Sequence, residues 1–155
     1  ADYKTFFKLK PPLRSENDRL ATIEAVRDGT IDIVSSMHTP QDEESKRLPF
    51  EDAASGAIGL ETILPAMLRL YHSNHLKMDQ IFNAISLQPA KRLGLACGSL
   101  KHKKIADLIV FDADKPFILN RELLHSKVKN TPFDGHKLQG QVLRTFVKGK
   151  EVFSL

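Results

Sequence analysis

Tryptophan is absent from the 155-residue chain, and cysteine occurs once, as Cys97. A single cysteine excludes an intrachain disulfide and any zinc site built from several cysteines. It also fits a reducing, cytoplasmic setting, which is the localisation expected. No apolar run approaches ~20 residues, so no helical membrane span is expected. No basic-then-apolar leader opens the chain, so no secretion signal is read there. The first residue is not Met, and the chain is expected to be a piece of a longer polypeptide. Glycine-rich phosphate loops, Gly-x-Ser-x-Gly elbows, and His-Glu-x-x-His or Cys-x-x-Cys patterns are all missing. Aromatic residues make up only 7% of the chain, which leaves few stacking platforms for single-stranded nucleic acid.

What is present reads as globular. Hydrophobic residues make up 41% and charged residues 27%, which excludes a disordered or collagen-like chain. The net charge of +4 is uneven. Residues 1–77 hold 10 basic against 12 acidic side chains, and residues 78–155 hold 13 against 7. The lysines of the second half are scattered between apolar residues, so no nucleic-acid partner is expected.

Two styles of sequence meet near residue 97. Ser15 followed by Asp18 resembles a capping box. Leu20, Ile23, Ala25 and Val26 then line one helical face, and Gly29 stops the helix. The spacing predicts helices near 15–28, 61–72 and 79–87, the last capped by Asp79. Ile31–Ser36 reads as a buried parallel strand because its start is nearly all apolar. Residues 37–59 form a long connection whose charge run, Asp42 to Arg47, reads as a solvated loop. After residue 105 the pattern is mostly strand. Residues 142–147 alternate, and a Lys-Gly-Lys turn leads into 151–153 as a hairpin.

Six histidines are present. His72 and His75 lie at a polar helix end, and His102, His125 and His136 sit among polar or basic residues. All five read as surface side chains, and Cys97 reads as packing. His38 differs, because it directly follows the Ile31–Ser36 segment. In α/β barrels chemistry sits at the C-terminal ends of strands. Arg14 occupies a comparable place after Phe6–Leu9, behind the rigid pair Pro11-Pro12. The spacing brings two loops toward one pocket, with His38 expected at its mouth and Arg14 nearby. The alternative for Arg14 is a pairing with Glu16, Asp18 or the helix start.

A series of motifs, in order along the chain, resembles the dihydroorotases, cyclic-amide hydrolases of the amidohydrolase superfamily. Lys8-Leu9-Lys10-Pro11-Pro12-Leu13-Arg14 resembles the family's Lys-x-Asn-Pro-Pro-Leu-Arg. Ser36-Met37-His38-Thr39-Pro40 is similar to its Thr-Asp-His-Ala-Pro. The stretch 46–50 and Gly59-Leu60-Glu61-Thr62 follow its Glu-Lys…Pro-Phe…Gly-Leu-Glu-Thr. Ala106-Asp107-Leu108, Asn130-Thr131-Pro132-Phe133 and Gly140-x-Val142 continue the match.

The resemblance implies an α/β fold made of the last strands and helices of a (β/α)8 TIM-type barrel (1–97), followed by strands of a small β-sandwich domain (98–155). It implies hydrolysis of dihydroorotate to carbamoyl aspartate in pyrimidine biosynthesis, with zinc as cofactor and the zinc ligands upstream of this chain. Met37 stands at the position of the family's catalytic aspartate, and a thioether is neither acid nor base. Lys10 stands at a substrate-binding asparagine, while His38 and Arg14 keep the family identity. Substrate binding is therefore assigned to Lys10, Arg14 and His38, with no metal ligand here. The expected function is a catalytically impaired subunit. Its partners would be the remainder of its own barrel, aspartate transcarbamoylase, and further copies in a homo-oligomer. The alternative is an active zinc-dependent dihydroorotase, or a related hydantoinase- or allantoinase-like hydrolase.

Overall fold

A computed structural model describes residues 3–155 of the chain. Helix α1 spans Glu16–Arg27 and starts as the sequence predicts. The Ser15 hydroxyl accepts the Asp18 N–H at 3.2 Å, and the Asp18 carboxylate accepts the Ser15 N–H at 3.2 Å. This reciprocal pair satisfies donors that the first turn cannot. Gly29, at φ +86°, carries the chain out of the helix. Of the four predicted core residues of α1, Ile23 is buried and Val26 half-buried against the core, whereas Leu20 is exposed.

Helix α2, Glu43–Arg47, lies inside the connection that reads as a loop from sequence. Asp42 caps it, accepting the Ser45 N–H at 2.8 Å, and Arg47 pairs with Glu43 at 2.8 Å. Helix α3 spans Ile63–His72, with Pro65 in its first turn, where no intrahelical donor is required. Helix α4, Met78–Phe82, begins after Lys77 rather than after Asp79. The Gln80 side chain accepts the Lys77 N–H at 2.8 Å and sets that start. A π-turn over Asn83–Leu87 joins α4 to α5, Gln88–Arg92. Pro89 has no N–H to give an α-type bond. A Schellman ending closes α5: the Gly94 N–H bonds Lys91 O at 3.1 Å and the Leu95 N–H bonds Ala90 O at 2.8 Å.

Strands β1 (Leu108–Ile118), β2 (Lys137–Val147) and β3 (Lys150–Ser154) form one antiparallel sheet in the order β1-β2-β3. Phe117 and Ile118 continue β1 beyond a bulge, where the Asp112 carboxylate accepts the Asp114 and Lys115 N–H groups. The β2–β3 turn has Lys148 at φ +52° and Gly149 at φ +77°, the type I′ geometry that suits strand twist. Asp107 Oδ1 accepts the Lys148 N–H at 2.7 Å and Ala106 O accepts the Gly149 N–H at 3.0 Å. The sheet packs on α3, where fully buried Leu68 lies so close to Gly140 that a Cβ there would overlap it.

The predicted strand Ile31–Ser36 forms no ladder. This segment is irregular, and its neighbourhood carries one parallel bridge, His38 to Ala57. Its apolar start is that of a buried strand, but a ladder needs a neighbour along its whole length. Among the described residues none pairs with 31–36, and the bridge to Ala57 is made by His38, just beyond the segment. Val34 instead donates its N–H to Ala84 O at 3.1 Å and packs on the core of Ile23, Met67, Leu76 and Ile81. Phe6–Leu9 likewise gives no strand, but a single 3-10 turn over Thr5–Phe7. No helix is long and apolar enough to cross a membrane among the described residues.

Candidate functional site

A cavity of about 250 Å³ opens where three segments meet. Leu9, Lys10 and Pro11 form one wall, 34–37 a second, and Ala57–Gly59 with the start of α3 a third. Pro132 and Phe133, between β1 and β2, close it. Residues from both halves of the chain therefore build one site.

Met37 lines the cavity, 52% exposed. Its backbone has φ +44°, in the left-handed region where aspartate and asparagine are enriched and methionine is not. The Ser35 hydroxyl accepts its N–H at 3.2 Å, and its carbonyl accepts the Thr39 hydroxyl at 3.0 Å. Lys10 lines the same cavity, on the opposite segment. His38 stands beside the wall rather than in it. Its Nδ1 accepts the Gly59 N–H at 3.0 Å and the Leu60 N–H at 3.3 Å, so the ring proton is assigned to Nε2. Arg14 is exposed in the loop before α1 and does not line the cavity. It adds a little to the environment of Asp18, whose carboxyl is held below its ordinary value first by the Ser15 hydroxyl and its N–H. Of the four residues singled out in the sequence, the structure thus brings Lys10 and Met37 together at the cavity.

Close approach holds the walls. A Cβ on Gly59 would collide with the Ser36 carbonyl, and one on Gly56 would sit 2.6 Å from Thr39 O. Gly56 is a node: its N–H donates to Lys8 O at 2.9 Å and its carbonyl accepts Asn130 Nδ2 at 3.1 Å. Asn130, only 4% exposed, also accepts the Gln41 N–H on Oδ1 at 3.3 Å and the Ile58 N–H on its carbonyl at 3.0 Å. Glu61 accepts the His125 N–H at 3.0 Å, the His125 ring at 2.9 Å and the Ser126 N–H at 3.1 Å. Burial pushes the Glu61 carboxyl up, but these donors outweigh it and hold it below its ordinary value. Asn130 and Glu61 tie the second half of the chain to the cavity. Their motifs are visible in the sequence, whereas these roles are not.

Among the described residues no three His, Cys, Asp or Glu side chains converge as a metal site.

The model of the amidohydrolase family matches residues 9–152. The chain belongs to the amidohydrolase family. Within it, the chain is similar to dihydroorotases at about 40% identity. It is 42% identical over 147 residues to a dihydroorotase of Wolbachia sp. subsp. Drosophila simulans, covering 95% of this chain and 33% of that protein. The dihydroorotase of Ehrlichia chaffeensis is 40% identical over 146 residues, covering 94% and 33%. The chain therefore spans about a third of the length of these relatives. An L-hydantoinase (dihydropyrimidinase) from Arthrobacter aurescens has the same fold over 98% of this chain and 35% of its own, with TM-score 0.92 and 30% identity. The α/β content and the small antiparallel sheet are thus those of an amidohydrolase-fold protein.

Proposed function

We propose that the chain is the C-terminal portion of a dihydroorotase-like protein whose hydrolytic chemistry is impaired. In this reading residues 1–97 complete a (β/α)8 barrel and residues 98–155 complete a small β-sandwich. The zinc of active relatives would belong to residues outside this chain. The observation that carries the reading is spatial. Met37 and Lys10, the two departures from the dihydroorotase pattern that touch its chemistry, line one cavity.

Opening a cyclic amide requires a group that takes a proton from water and returns it to the departing nitrogen. Met37 offers a thioether, which is a weak acceptor only, and the ammonium of Lys10 is a donor only. Losing a positioned acid–base costs about 10²–10⁴ in rate. The left-handed backbone at residue 37 supports a site that once suited aspartate. With catalysis impaired, the remaining role is structural: assembly with aspartate transcarbamoylase as a homo-oligomeric, cytoplasmic subunit.

The likeness to L-hydantoinase favours a second reading, hydrolysis of a hydantoin or dihydropyrimidine ring. Identity to the dihydroorotases is higher, 42% against 30%. The test is to offer the full-length protein L-dihydroorotate, hydantoin and dihydrouracil, and to co-purify it with aspartate transcarbamoylase. The proposal expects very slow ring opening, dihydroorotate the preferred substrate, and a stable complex. Brisk turnover of hydantoin, or free migration of the two proteins, would contradict it.

A further inference from the structure

We infer that Lys46, acting with Lys8, is a positioning residue that sets the cavity wall carrying Lys10. Lys46 is 3% exposed, and among the described residues it makes no ion pair. Its Nζ donates instead to two backbone carbonyls, Thr5 O at 3.0 Å and Lys8 O at 3.2 Å. The Thr5 hydroxyl donates back to Lys46 O at 2.6 Å. Lys8 works in the opposite direction. Its Nζ donates to Phe50 O and Glu51 O, each at 2.7 Å, and lies 5.4 Å from the Phe50 ring centroid. Two lysines thus clasp the 5–8 segment to the 46–51 segment through backbone carbonyls.

Desolvation is unfavourable for an ammonium. Burial first, and the charge of Lys8 second, push the Lys46 amine below its ordinary value. An apolar side chain of equal length would fill the same volume without that penalty, so the ammonium serves the carbonyls it holds. What it holds leads directly to the site. Lys8 is followed by Leu9, Lys10 and Pro11, which line the cavity. The Lys8 carbonyl also accepts the Gly56 N–H, and Gly56 is followed by Ala57–Gly59, the facing wall, whose Gly59 N–H holds His38. Lys46 therefore fixes both walls through one carbonyl. Lys8 and Lys46 are engaged with backbone, which leaves Lys10, a residue of the cavity lining, as the lysine of this cluster free to meet a ligand. The ligand class that fits is a cyclic amide bearing a carboxylate, and this part of the inference rests on the dihydroorotase-like reading of the cavity.

The experiment compares wild type, Lys46→Met and Lys46→Arg, with Lys103→Met as a surface control. L-Dihydroorotate binding is measured by calorimetry, and the Gly56 and Gly59 amides and the His38 ring nitrogens are followed by NMR. Lys46→Met is expected to weaken binding by about tenfold or more and to shift all three sets of resonances. Lys46→Arg, which keeps the donors, restores both, and Lys103→Met changes neither. Unchanged affinity with unmoved resonances in a folded Lys46→Met protein would overturn the inference. Should wild type itself fail to bind L-dihydroorotate, the dihydroorotase-like reading falls, while the resonances still decide whether Lys46 positions the walls. If Lys46→Met does not fold, Lys8→Met removes the half-buried side of the clasp and is judged by the same two readouts.

Discussion

Replacing Asn130 by alanine removes two side-chain hydrogen bonds that join the second half of the chain to the cavity wall. The bond to Gly56 O, at 3.1 Å, is buried, and Gly56 itself is buried. Its carbonyl would lose a partner that water cannot readily replace, at a cost of about 1–3 kcal/mol. The bond from the Gln41 N–H, at 3.3 Å, is only part-buried, so water can take it over. Its loss adds about 0.5–1.5 kcal/mol. The Ile58 N–H still reaches the residue-130 carbonyl, because that bond is backbone to backbone. The sum is about 1.5–4.5 kcal/mol, a severe change for a protein whose total stability is of order 5–15 kcal/mol. The assay is urea unfolding followed by far-UV circular dichroism, at fixed protein concentration because association moves the midpoint. Asn130→Asp, which keeps an acceptor for Gln41 but loses the donor to Gly56, should fall close to Asn130→Ala. A midpoint for Asn130→Ala indistinguishable from wild type would refute the reasoning. It would mean that the two halves are held by packing at Leu68 and Gly140 rather than by this residue.

Other outcomes follow from the same geometry. The Glu61 carboxyl sits below its ordinary value near 4.5, so its stabilisation is complete above that value and drains away as pH falls through the lowered folded value. Glu61→Gln should lower stability at neutral pH and flatten that acid limb, read from urea midpoints against pH; an unaltered limb would deny Glu61 this role. Gly59→Ala should push the Ser36 backbone away from its place beside Met37 and cost about 1–3 kcal/mol, seen in the same assay; a neutral result would mean the wall yields freely. The chain by itself exposes Leu93, Leu95 and Leu100. It is expected to self-associate in sedimentation unless the remainder of a barrel or a partner covers it, and a monodisperse monomer with cooperative unfolding would contradict this.

Elements whose signals are local were legible from sequence. Ser15 and Asp18 mark the start of α1, and Gly29 marks its end. The Lys-Gly-Lys turn marks the β2–β3 hairpin. Each is fixed by a backbone conformation or a short-range bond. The Ile31–Ser36 run was misread because a ladder depends on a neighbour, not on the run itself. Lys46 was misread within a solvated charge run, since its acceptors lie about forty residues away, at Thr5 and Lys8. Asp79 lost its capping role to the Gln80 side chain, a difference of two positions that pattern alone does not resolve. Of the site residues, Met37 and Lys10 stood out by departing from a motif, but their meeting at one cavity is a tertiary fact. Arg14 and His38 were picked by position after a segment, and position does not say which way a side chain faces.

The most direct test of the impaired-site account is Met37→Asp in the full-length protein, assayed for formation of carbamoyl aspartate from L-dihydroorotate. The backbone at residue 37, at φ +44°, accepts aspartate at least as readily as methionine, so the variant should fold. Restoring a positioned acid–base is expected to raise the rate by about 10²-fold or more, most fully when Lys10→Asn accompanies it. Wild-type turnover that is already robust, and that Met37→Asp leaves unchanged, would show that another residue carries the proton and that the cavity is not an impaired one.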